Sequence, residues 1–423
     1  MGVTGQRDRK QQMVGETRMI QEGLTMKKQV VSVVLTAAMA AGLLAGCGSS
    51  TSTSTSSKSS SSSSASSAST SSAAGTSSAS STAASSGSAE AVASTSGAAG
   101  GVGDVSGTYA LVPKSAGNPF NEREASGFQD ALKALGCSDD QIIVSYPDSA
   151  TADAQITVIQ SLISQGVSSI AVAANDASAL DAALKQASDA GIKVCTLDSD
   201  VDADYRSVFC NQAGVKEIAQ ALMDAVYDIS GGSGEYAILS ATSQATNQNA
   251  WIDAMKEIAE SDDKYADLKL DEIAYGDDEA QKSTDQTQAL LTKYPDLKVI
   301  CSPTTVGIAA AAKVLQDQKS SVKLTGLGLP SEMKEYIGDD DSHSCPYMFL
   351  WNPIDLGALA AYASVALVNG SMTGAVGDTF SAGDLNDGNP YEITANADGA
   401  SEVILGQPFK FDPSNIEEWA EVY

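Results

Sequence analysis

The sequence predicts an α/β protein of two similar lobes, each built on a doubly wound parallel sheet. Three observations support this prediction. Runs rich in Val, Ile and Leu alternate with segments of helical period, and short connections that contain glycine separate them. The whole alternation occurs twice, at an offset of about 130 residues. Strands that alternate with helices in this way are typical of a parallel sheet covered by helices on both faces.

In the first half, each short apolar run precedes a longer segment of helical period. Strands are predicted at 109–113, 142–146, 169–173 and 193–197, and helices at 122–135, 152–166 and 177–190. Gly136, Gly166 and Gly191 end the three helices, since glycine readily adopts the left-handed conformation that follows a helix. Ligands of such sheets bind at the carboxyl ends of the strands.

The second half repeats this order. A strand at 234–239 and a helix that contains Trp251 and Met255 parallel the first strand and first helix. Helices at 285–294 and 306–319 and strands at 298–301 and 322–327 parallel the later elements. Two unrelated domains that merely share α/β composition are the alternative. Two similar halves instead predict Rossmann-like lobes that face each other across a cleft.

The N-terminal region predicts export and lipid anchoring. Lys27 and Lys28 precede an apolar run at 30–44, which ends in Leu-Ala-Gly before Cys47. This is the pattern of a secretory signal, too short for a transmembrane helix. A cysteine in this lipobox predicts cleavage before Cys47 and a diacylglycerol on its sulfur, with a free cysteine at an ordinary cleavage site as the alternative. Residues 1–25 have mixed charges and no apolar period, so translation is expected to begin at Met26.

A low-complexity segment separates this signal from the folded region. From 49 to 101 the residues are nearly all Ser, Ala, Thr and Gly. Such a segment cannot bury enough apolar surface to offset its ordering entropy, and we therefore expect a disordered tether with a reach of about 40 Å. The segments are thus 1–46 as the signal region, 47–105 as the lipidated cysteine with its linker, and a folded part from 106 to 423.

Charge and cysteine content exclude several classes of function. The chain has 25 Lys and Arg against 53 Asp and Glu, a net charge of −28, so nucleic acid and anionic membrane surfaces would repel it. Beyond Cys47 there are five cysteines, an odd number with no Cys-x-x-Cys spacing. We therefore expect at least one free thiol and no disulfide framework.

Polar and aromatic side chains cluster at the predicted strand ends. Amides, carboxylates and a lysine can hydrogen-bond every hydroxyl of a polyol, and aromatic rings offer apolar faces to its C–H surface. Each residue also has an ordinary alternative, such as a helix cap, a turn or a core aromatic. The candidate ligand-binding residues are Lys114, Asn118, Phe120, Asn175, Asp176, Asp198, Asn247, Gln248, Pro303, Thr305, Trp351 and Asn352.

Several motifs resemble those of the rhamnose-binding proteins of bacterial sugar ABC transporters, within the ribose-type group of periplasmic-binding proteins (type I). These motifs are VPKSAGNPF, LDSD, ATNQNAWIDAMK, SPTTVGIAAAAK, TGLGLPSEM, LWNPIDLG and PSNIEEWAEVY, and the resemblance covers essentially all of 106–423. The sister group binds autoinducer-2 through a lysine, an aspartate, an Asp-Gln pair, and a proline followed two residues later by an alanine. Lys114, Asp198, Gln248 and Pro303 match that set. Asn247 and Thr305 depart from it and favour rhamnose over autoinducer-2 or another ribose-type sugar.

The resemblance implies two lobes joined by a three-segment hinge. We expect crossovers near Cys210, Met348 and Val376, which divide the chain into 106–210 with 348–376 as lobe one and 211–347 with 377–423 as lobe two. It also implies a monomer that binds a small sugar without a cofactor. Its partners would be an ABC permease and, through it, the cytoplasmic ATPase. The protein would be held by its lipid at the outer face of the cytoplasmic membrane.

Enzymatic and regulatory functions find little support in the sequence. There is no Gly-x-Ser-x-Gly elbow and no phosphate loop, and His343 is the only histidine. The acidic run from Asp198 to Asp204 lacks the glycine and glutamate of a calcium loop, so no metal site is predicted. A ligand-sensing transcriptional repressor would need a basic DNA-binding segment where this chain has its lipobox and serine-rich linker.

Overall fold

A computed structural model describes residues 103–423. The predicted signal, Cys47 and residues 48–102 of the predicted linker lie outside the described residues. The α-helices are α1 (Pro119–Ala134), α2 (Ala152–Gln165), α3 (Asp181–Asp189), α4 (Val215–Ser230), α5 (Thr246–Ser261), α6 (Ala280–Lys293), α7 (Thr305–Asp317), α8 (Pro330–Met333), α9 (Pro353–Val368) and α10 (Ile416–Trp419). The strands are β1 (Tyr109–Val112), β2 (Ile142–Val144), β3 (Ser169–Val172), β4 (Lys193–Leu197), β5 (Val208–Asn211), β6 (Gly234–Ser240), β7 (Leu268–Tyr275), β8 (Leu297–Ser302), β9 (Lys323–Gly326), β10 (Met348–Leu350), β11 (Thr379–Phe380), β12 (Tyr391–Glu392), β13 (Thr394–Ala395), β14 (Ser401–Ile404) and β15 (Phe409–Phe411).

The first lobe is built on a seven-stranded sheet in the order β13-β14-β5-β4-β3-β1-β2. Its neighbours pair in parallel, except for β13, which is antiparallel to β14. Helices α2 and α3 cover one face through an apolar cluster that includes Ile159, Leu162 and Leu184. Helices α1 and α9 pack against each other and bury Phe128 and Leu356. Both faces of the sheet are therefore covered, as the short βα connections predicted.

The second lobe carries a four-stranded parallel sheet in the order β7-β6-β8-β9. Helix α4 packs with α5, and α6 packs with α7. A bridge between Leu327 and Phe349 places β10 beside the end of β9, and β10 pairs with β15 in an antiparallel ribbon. Two doubly wound α/β lobes are thus present, and the predicted fold class is confirmed.

The third of the expected crossovers lies elsewhere in the structure. Residues 348–350 form β10 in the second lobe, and the chain returns to the first lobe just after Leu350. Strand β14 pairs with β5, so residues 377–404 belong with the first lobe, and the third crossover follows Ile404 rather than Val376. These short strands are placed by long-range pairing, which the local sequence does not encode.

Two helix starts bring the connecting loops to the cleft. Asn118 accepts a hydrogen bond from the Phe120 backbone N–H at 3.0 Å, and Asn352 does the same for Ile354 at 3.0 Å. Each cap precedes a proline at the first helical position, where the missing N–H costs nothing. Within residues 103–423 no helix is both long and apolar enough to span a bilayer.

Candidate functional site

A cleft lies between the two lobes at the carboxyl ends of their strands. The space between its lining atoms amounts to about 370 Å³, a volume that includes open solvent. Loops after β1 and β4 contribute from the first lobe, and loops after β6, β7 and β8 contribute from the second. The lining residues are Lys114, Asn118, Phe120, Asn121, Asp198, Gln248, Trp251, Asp278, Pro303, Thr304, Thr305, Leu327, Leu350 and Trp351.

A charged centre at this cleft joins the two lobes. The Lys114 ammonium lies 3.0 Å from Oδ2 of Asp198 and donates a hydrogen bond of 3.0 Å to Oδ1 of Asn247. The Asn247 amide in turn donates to Oδ2 of Asp198 at 3.2 Å. Lys114 and Asp198 follow strands of the first lobe, whereas Asn247 lies in the first turn of α5 in the second. The three side chains therefore form a continuous polar bridge between the lobes.

Asp198 is held in an unusual conformation. Its φ is +59°, in the left-handed region that favours glycine, although aspartate adopts it more readily than most residues. The next residue, Ser199, fixes the turn by donating from its hydroxyl to the Ala174 carbonyl at 2.6 Å. Strained residues of this kind concentrate at binding and active sites, because the surrounding structure must hold them in place.

Aromatic side chains form the apolar wall of the cleft. Trp351 makes edge contacts with Phe120, at 6.2 Å between centroids, and with Trp251, at 5.7 Å. Leu327 and Leu350 extend the same lining. The indole N–H of Trp351 is buried with no hydrogen-bond partner among the described residues. An apolar wall opposite directed polar groups suits a ligand with both hydroxyls and C–H surface.

Further polar groups come from the second lobe. Gln248 is buried at the start of α5, and its Oε1 has no partner within the described part of the chain. Pro303, Thr304 and Thr305 line the cleft at the start of α7. Thr304 donates its hydroxyl to the carboxylate of Asp278, which lies in the loop after β7. Burial raises the pKa of Asp278, and the Thr304 hydrogen bond opposes that rise.

Glu124, on α1, is a fully buried carboxyl group close enough to Asp198 and Lys114 to feel their charges. Neither of its oxygens has a hydrogen-bond partner among residues 103–423. Burial raises the pKa of Glu124 well above its usual value, and repulsion by Asp198 adds to the rise while Lys114 opposes it. Burial and the Asp198 charge therefore both favour the protonated form of Glu124.

Four predicted residues do not line the cleft. Asn175 donates from its side chain to the Lys114 carbonyl at 2.8 Å, so it supports the loop that carries Lys114. Asp176 accepts from the backbone N–H groups of Ser178 and Ala179 and closes a local turn. Asn352 caps α9. Asn247 is not a lining residue either, but it contacts two residues that are. Polar residues after a strand can cap or brace a loop as readily as they bind a ligand.

Sequence reasoning missed several lining residues. Asn121 directly follows the motif VPKSAGNPF and was given no role, and Trp251 was assigned only to a helix. Asp278 was missed because β7, with its sequence Leu-Lys-Leu-Asp-Glu-Ile-Ala-Tyr, lacks an apolar run. Recognition of that strand would have placed Asp278 at its carboxyl end. The remaining missed residues are Thr304, Leu327 and Leu350.

The cysteines and acidic groups support neither a disulfide nor a metal site in the described region. All five cysteines, Cys137, Cys195, Cys210, Cys301 and Cys345, are free and buried. The expectation of at least one free thiol is therefore met by every cysteine from 103 onward. No group of three or more His, Cys, Asp or Glu side chains within 103–423 is arranged to hold a metal ion.

Comparison with known proteins places this geometry in a family. The family model of the periplasmic binding protein domain matches residues 109–372. An ABC transporter solute binding protein from Clostridium phytofermentas, solved with bound L-rhamnose, is 60% identical with a TM-score of 0.73, and the match covers 75% of this chain and 99% of that chain. The structure of a sugar ABC transporter from Actinomyces odontolyticus is 40% identical with a TM-score of 0.60, over 74% of this chain and 97% of that chain.

A curated relative gives a more distant match. The D-ribose/D-allose-binding protein of Pseudomonas aeruginosa is 24% identical over 200 residues, which are 45% of this chain. The chain spans 60% of the length of that relative. The resemblance deduced from the cleft motifs is confirmed by the two solved structures, which extend over nearly the whole described region. The chain therefore belongs to the periplasmic binding protein family, and it is not an enzyme.

Proposed function

We propose that this protein is the extracytoplasmic solute-binding lipoprotein of an ABC importer and that it captures L-rhamnose between its lobes. One observation carries the proposal: the cleft combines directed polar groups from both lobes with a wall of aromatic rings. Lys114, Asp198 and Gln248 can exchange hydrogen bonds with ring hydroxyls. Phe120 and Trp351 can pack against the C–H surface of the same ring.

The choice of L-rhamnose rests on similarity and on the apolar wall together. The 60% identical relative was solved with L-rhamnose bound. L-Rhamnose carries a methyl group where L-mannose carries a hydroxymethyl group. A wall formed by Trp251, Trp351 and Leu350 offers a place for that methyl group and no hydrogen-bonding oxygen for an added hydroxyl.

The remaining steps of transport complete the proposal. The lipobox supports export and anchoring through a lipid on Cys47, at the outer face of the cytoplasmic membrane. A monomer with sugar in its cleft would then deliver the ligand to a permease, which a cytoplasmic ATPase drives. Closure around the sugar requires that the ligand bind the closed form more tightly than the open one.

The proposal is tested by calorimetric titration of the purified protein with three matched sugars. L-Rhamnose, L-lyxose and L-mannose share their ring hydroxyls and differ at one position, which bears a methyl group, a hydrogen or a hydroxymethyl group. L-Rhamnose is expected to bind most tightly, and L-lyxose about tenfold or more weakly, because one buried methyl group is lost. L-Mannose is expected to bind more weakly still, because its extra hydroxyl meets the apolar wall.

Titration with D-ribose and autoinducer-2 supplies the competing outcomes. Binding of autoinducer-2 at least as tight as that of L-rhamnose would assign the protein to a signalling role instead. Preference for D-ribose would keep the transport role and change the sugar. Equal binding of L-rhamnose and L-lyxose would contradict the methyl-accepting wall.

A further inference from the structure

Asp278 faces the cleft from the second lobe, at the carboxyl end of β7. Asp277 and Asp278 both have left-handed backbones, with φ of 54° and 53°. The two consecutive residues are aimed differently: Asp277 pairs with Lys282, whereas Asp278 lines the cleft. Two successive left-handed non-glycine residues are uncommon, and the loop that contains them is shaped to direct one carboxylate outward and the next inward.

The side chain of Thr304 orients Asp278. Thr304 is the residue before α7, where a threonine hydroxyl ordinarily accepts a hydrogen bond from the helix backbone. Here the hydroxyl makes no such cap and instead donates to Oδ1 of Asp278. No residue within 103–423 donates to Oδ2 of Asp278. The carboxylate therefore retains an acceptor oxygen in a cleft-lining position.

Charged residues on the opposite side of the cleft influence the ionisation of Asp278. Lys114 and Asp198 of the first lobe both act on its ionisation, the lysine favouring the charged form and Asp198 opposing it. Burial disfavours the charged form and is the largest influence on its raised pKa. A hydroxyl that donates to this carboxylate would offset the cost of burying it. Asp198 and Asp278 thus offer acceptors to one ligand from opposite lobes.

We propose that Asp278 is a specificity-determining ligand residue that accepts a hydrogen bond from one ring hydroxyl of the sugar, and that Thr304 is its positioning residue. The inference deepens the proposed function and rests on it. An ionised carboxylate only accepts hydrogen bonds, so the second lobe requires a donor at this position. Sugars that are deoxygenated or methylated at that hydroxyl should be rejected, while substitutions elsewhere on the ring are tolerated better.

The test compares three changes by calorimetric titration of the full-length protein with L-rhamnose. Asp278→Asn keeps the shape and removes the charge, and it should weaken binding about tenfold or more. Asp277→Asn is the matched control, because the neighbouring residue has the same backbone conformation and lies outside the cleft lining; it should change affinity less than about twofold. Thr304→Val should weaken binding, and Thr304→Ser, which retains the hydroxyl, should restore it.

A ligand series identifies the contact itself. The 2-, 3- and 4-deoxy derivatives of L-rhamnose are titrated against the wild type and Asp278→Asn. For one of them the wild type should lose affinity about tenfold or more, and Asp278→Asn should then cause little additional loss, because both changes remove the same hydrogen bond. Equal losses in wild type and variant for all three derivatives would overturn the proposal.

Failure of the inference is distinguishable from failure of the proposed function. If the wild type binds L-rhamnose and Asp278→Asn binds it within about twofold, the inference alone is wrong. If the wild type prefers D-ribose, the proposed ligand is wrong, and the same variants titrated with D-ribose decide the role of Asp278. If Asp278→Asn fails to fold, equal binding by Thr304→Val and Thr304→Ser overturns the inference, and loss restricted to the valine variant supports it.

Discussion

Single residues around the cleft differ sharply in how their charges are compensated. Lys114 and Asp198 are paired at 3.0 Å, and Asn247 hydrogen-bonds to both. Glu124, buried on α1, has no hydrogen-bond partner in the described region. A buried carboxyl group without a partner is tolerated when it is neutral, since burial penalises only the charged form heavily. The neighbouring Asp198 charge acts in the same direction.

This state of Glu124 predicts a stability that depends on pH. Because its pKa is raised in the folded protein above the usual value of 4.5, its favourable contribution is complete below pH 4.5 and is lost as pH rises toward the raised pKa. Glu124→Gln removes the titration. The free energy of unfolding of the wild type should therefore fall relative to the variant, by as much as about 1.4 kcal/mol per pH unit. Chemical denaturation between pH 5 and 8 measures the difference.

The matched control for this experiment lies on the same helix. Glu122 is exposed in the first turn of α1. The free energy of unfolding of Glu122→Gln should therefore differ from that of the wild type by nearly the same amount at every pH. If the free energies of unfolding of Glu124→Gln and the wild type also differ by a constant amount from pH 5 to 8, Glu124 is ionised in the folded state.

At the scale of secondary-structure elements, the contact between α1 and α9 positions both sides of the cleft. A Cβ atom added at Gly127 would lie 1.9 Å from the Ile354 carbonyl oxygen, and one at Gly357 would lie 1.9 Å from that of Glu124. The helix backbones are thus in direct contact. Helix α1 follows the Lys114 loop and α9 follows Trp351, so this crossing fixes the polar and aromatic parts of the site relative to each other.

Gly357→Ala should therefore destabilise the protein. Alanine has the better helix propensity by about 1 kcal/mol, but the added methyl group would meet backbone atoms that cannot move independently. Overpacking of this kind typically costs about 1–3 kcal/mol. Gly406→Ala is the control, because nothing lies within 4 Å of its added Cβ, and it should change stability by less than about 0.5 kcal/mol. Urea unfolding measures the free energy of unfolding of both variants. Equal values for the two variants would contradict close backbone packing between α1 and α9.

Elements with strong local patterns could be predicted, and those placed by distant pairing could not. The predicted strand at 193–197 coincides with β4, and the helix predicted at 152–166 is α2 with its terminal Gly166. Strand β14 was not predicted, because its position beside β5 depends on a partner nearly two hundred residues away. At the site, Lys114 and Asp198 were found because they follow apolar strands. Asp176 has the same sequence context and closes a turn instead, so composition at a strand end does not distinguish the two roles.

At the scale of the whole molecule, the two lobes are connected by three chain segments and by the polar bridge at the cleft. The segments are 212–214, 351–352 and 405–408. Short connections of this kind can act as hinges, since a few residues absorb the rotation of two rigid bodies. The bridge acts against opening, because separation of the lobes would break the Lys114–Asn247 and Asn247–Asp198 hydrogen bonds.

Removal of the bridge should shift the protein toward an open form before ligand is added. Asn247→Ala deletes one acceptor for Lys114 and one donor to Asp198, and hydrogen bonds to charged groups are each worth about 1.5–3 kcal/mol. The radius of gyration of the ligand-free variant, measured by solution X-ray scattering, should exceed that of the wild type. Saturating L-rhamnose should lower the radius of gyration of the variant and of the wild type to the same value, because the sugar contacts both lobes.

The same change should weaken sugar binding through the population of closed protein. When only a fraction of the molecules is closed, the apparent dissociation constant rises in inverse proportion to that fraction, even for unchanged sugar contacts. Asn249→Ala is the control on the same helix, since its side-chain amide donates to the Ser243 carbonyl within the second lobe. Scattering and affinity of that control should match the wild type. If Asn247→Ala also matches the wild type in its ligand-free scattering, the bridge does not hold the lobes together, and closure must come from the sugar alone.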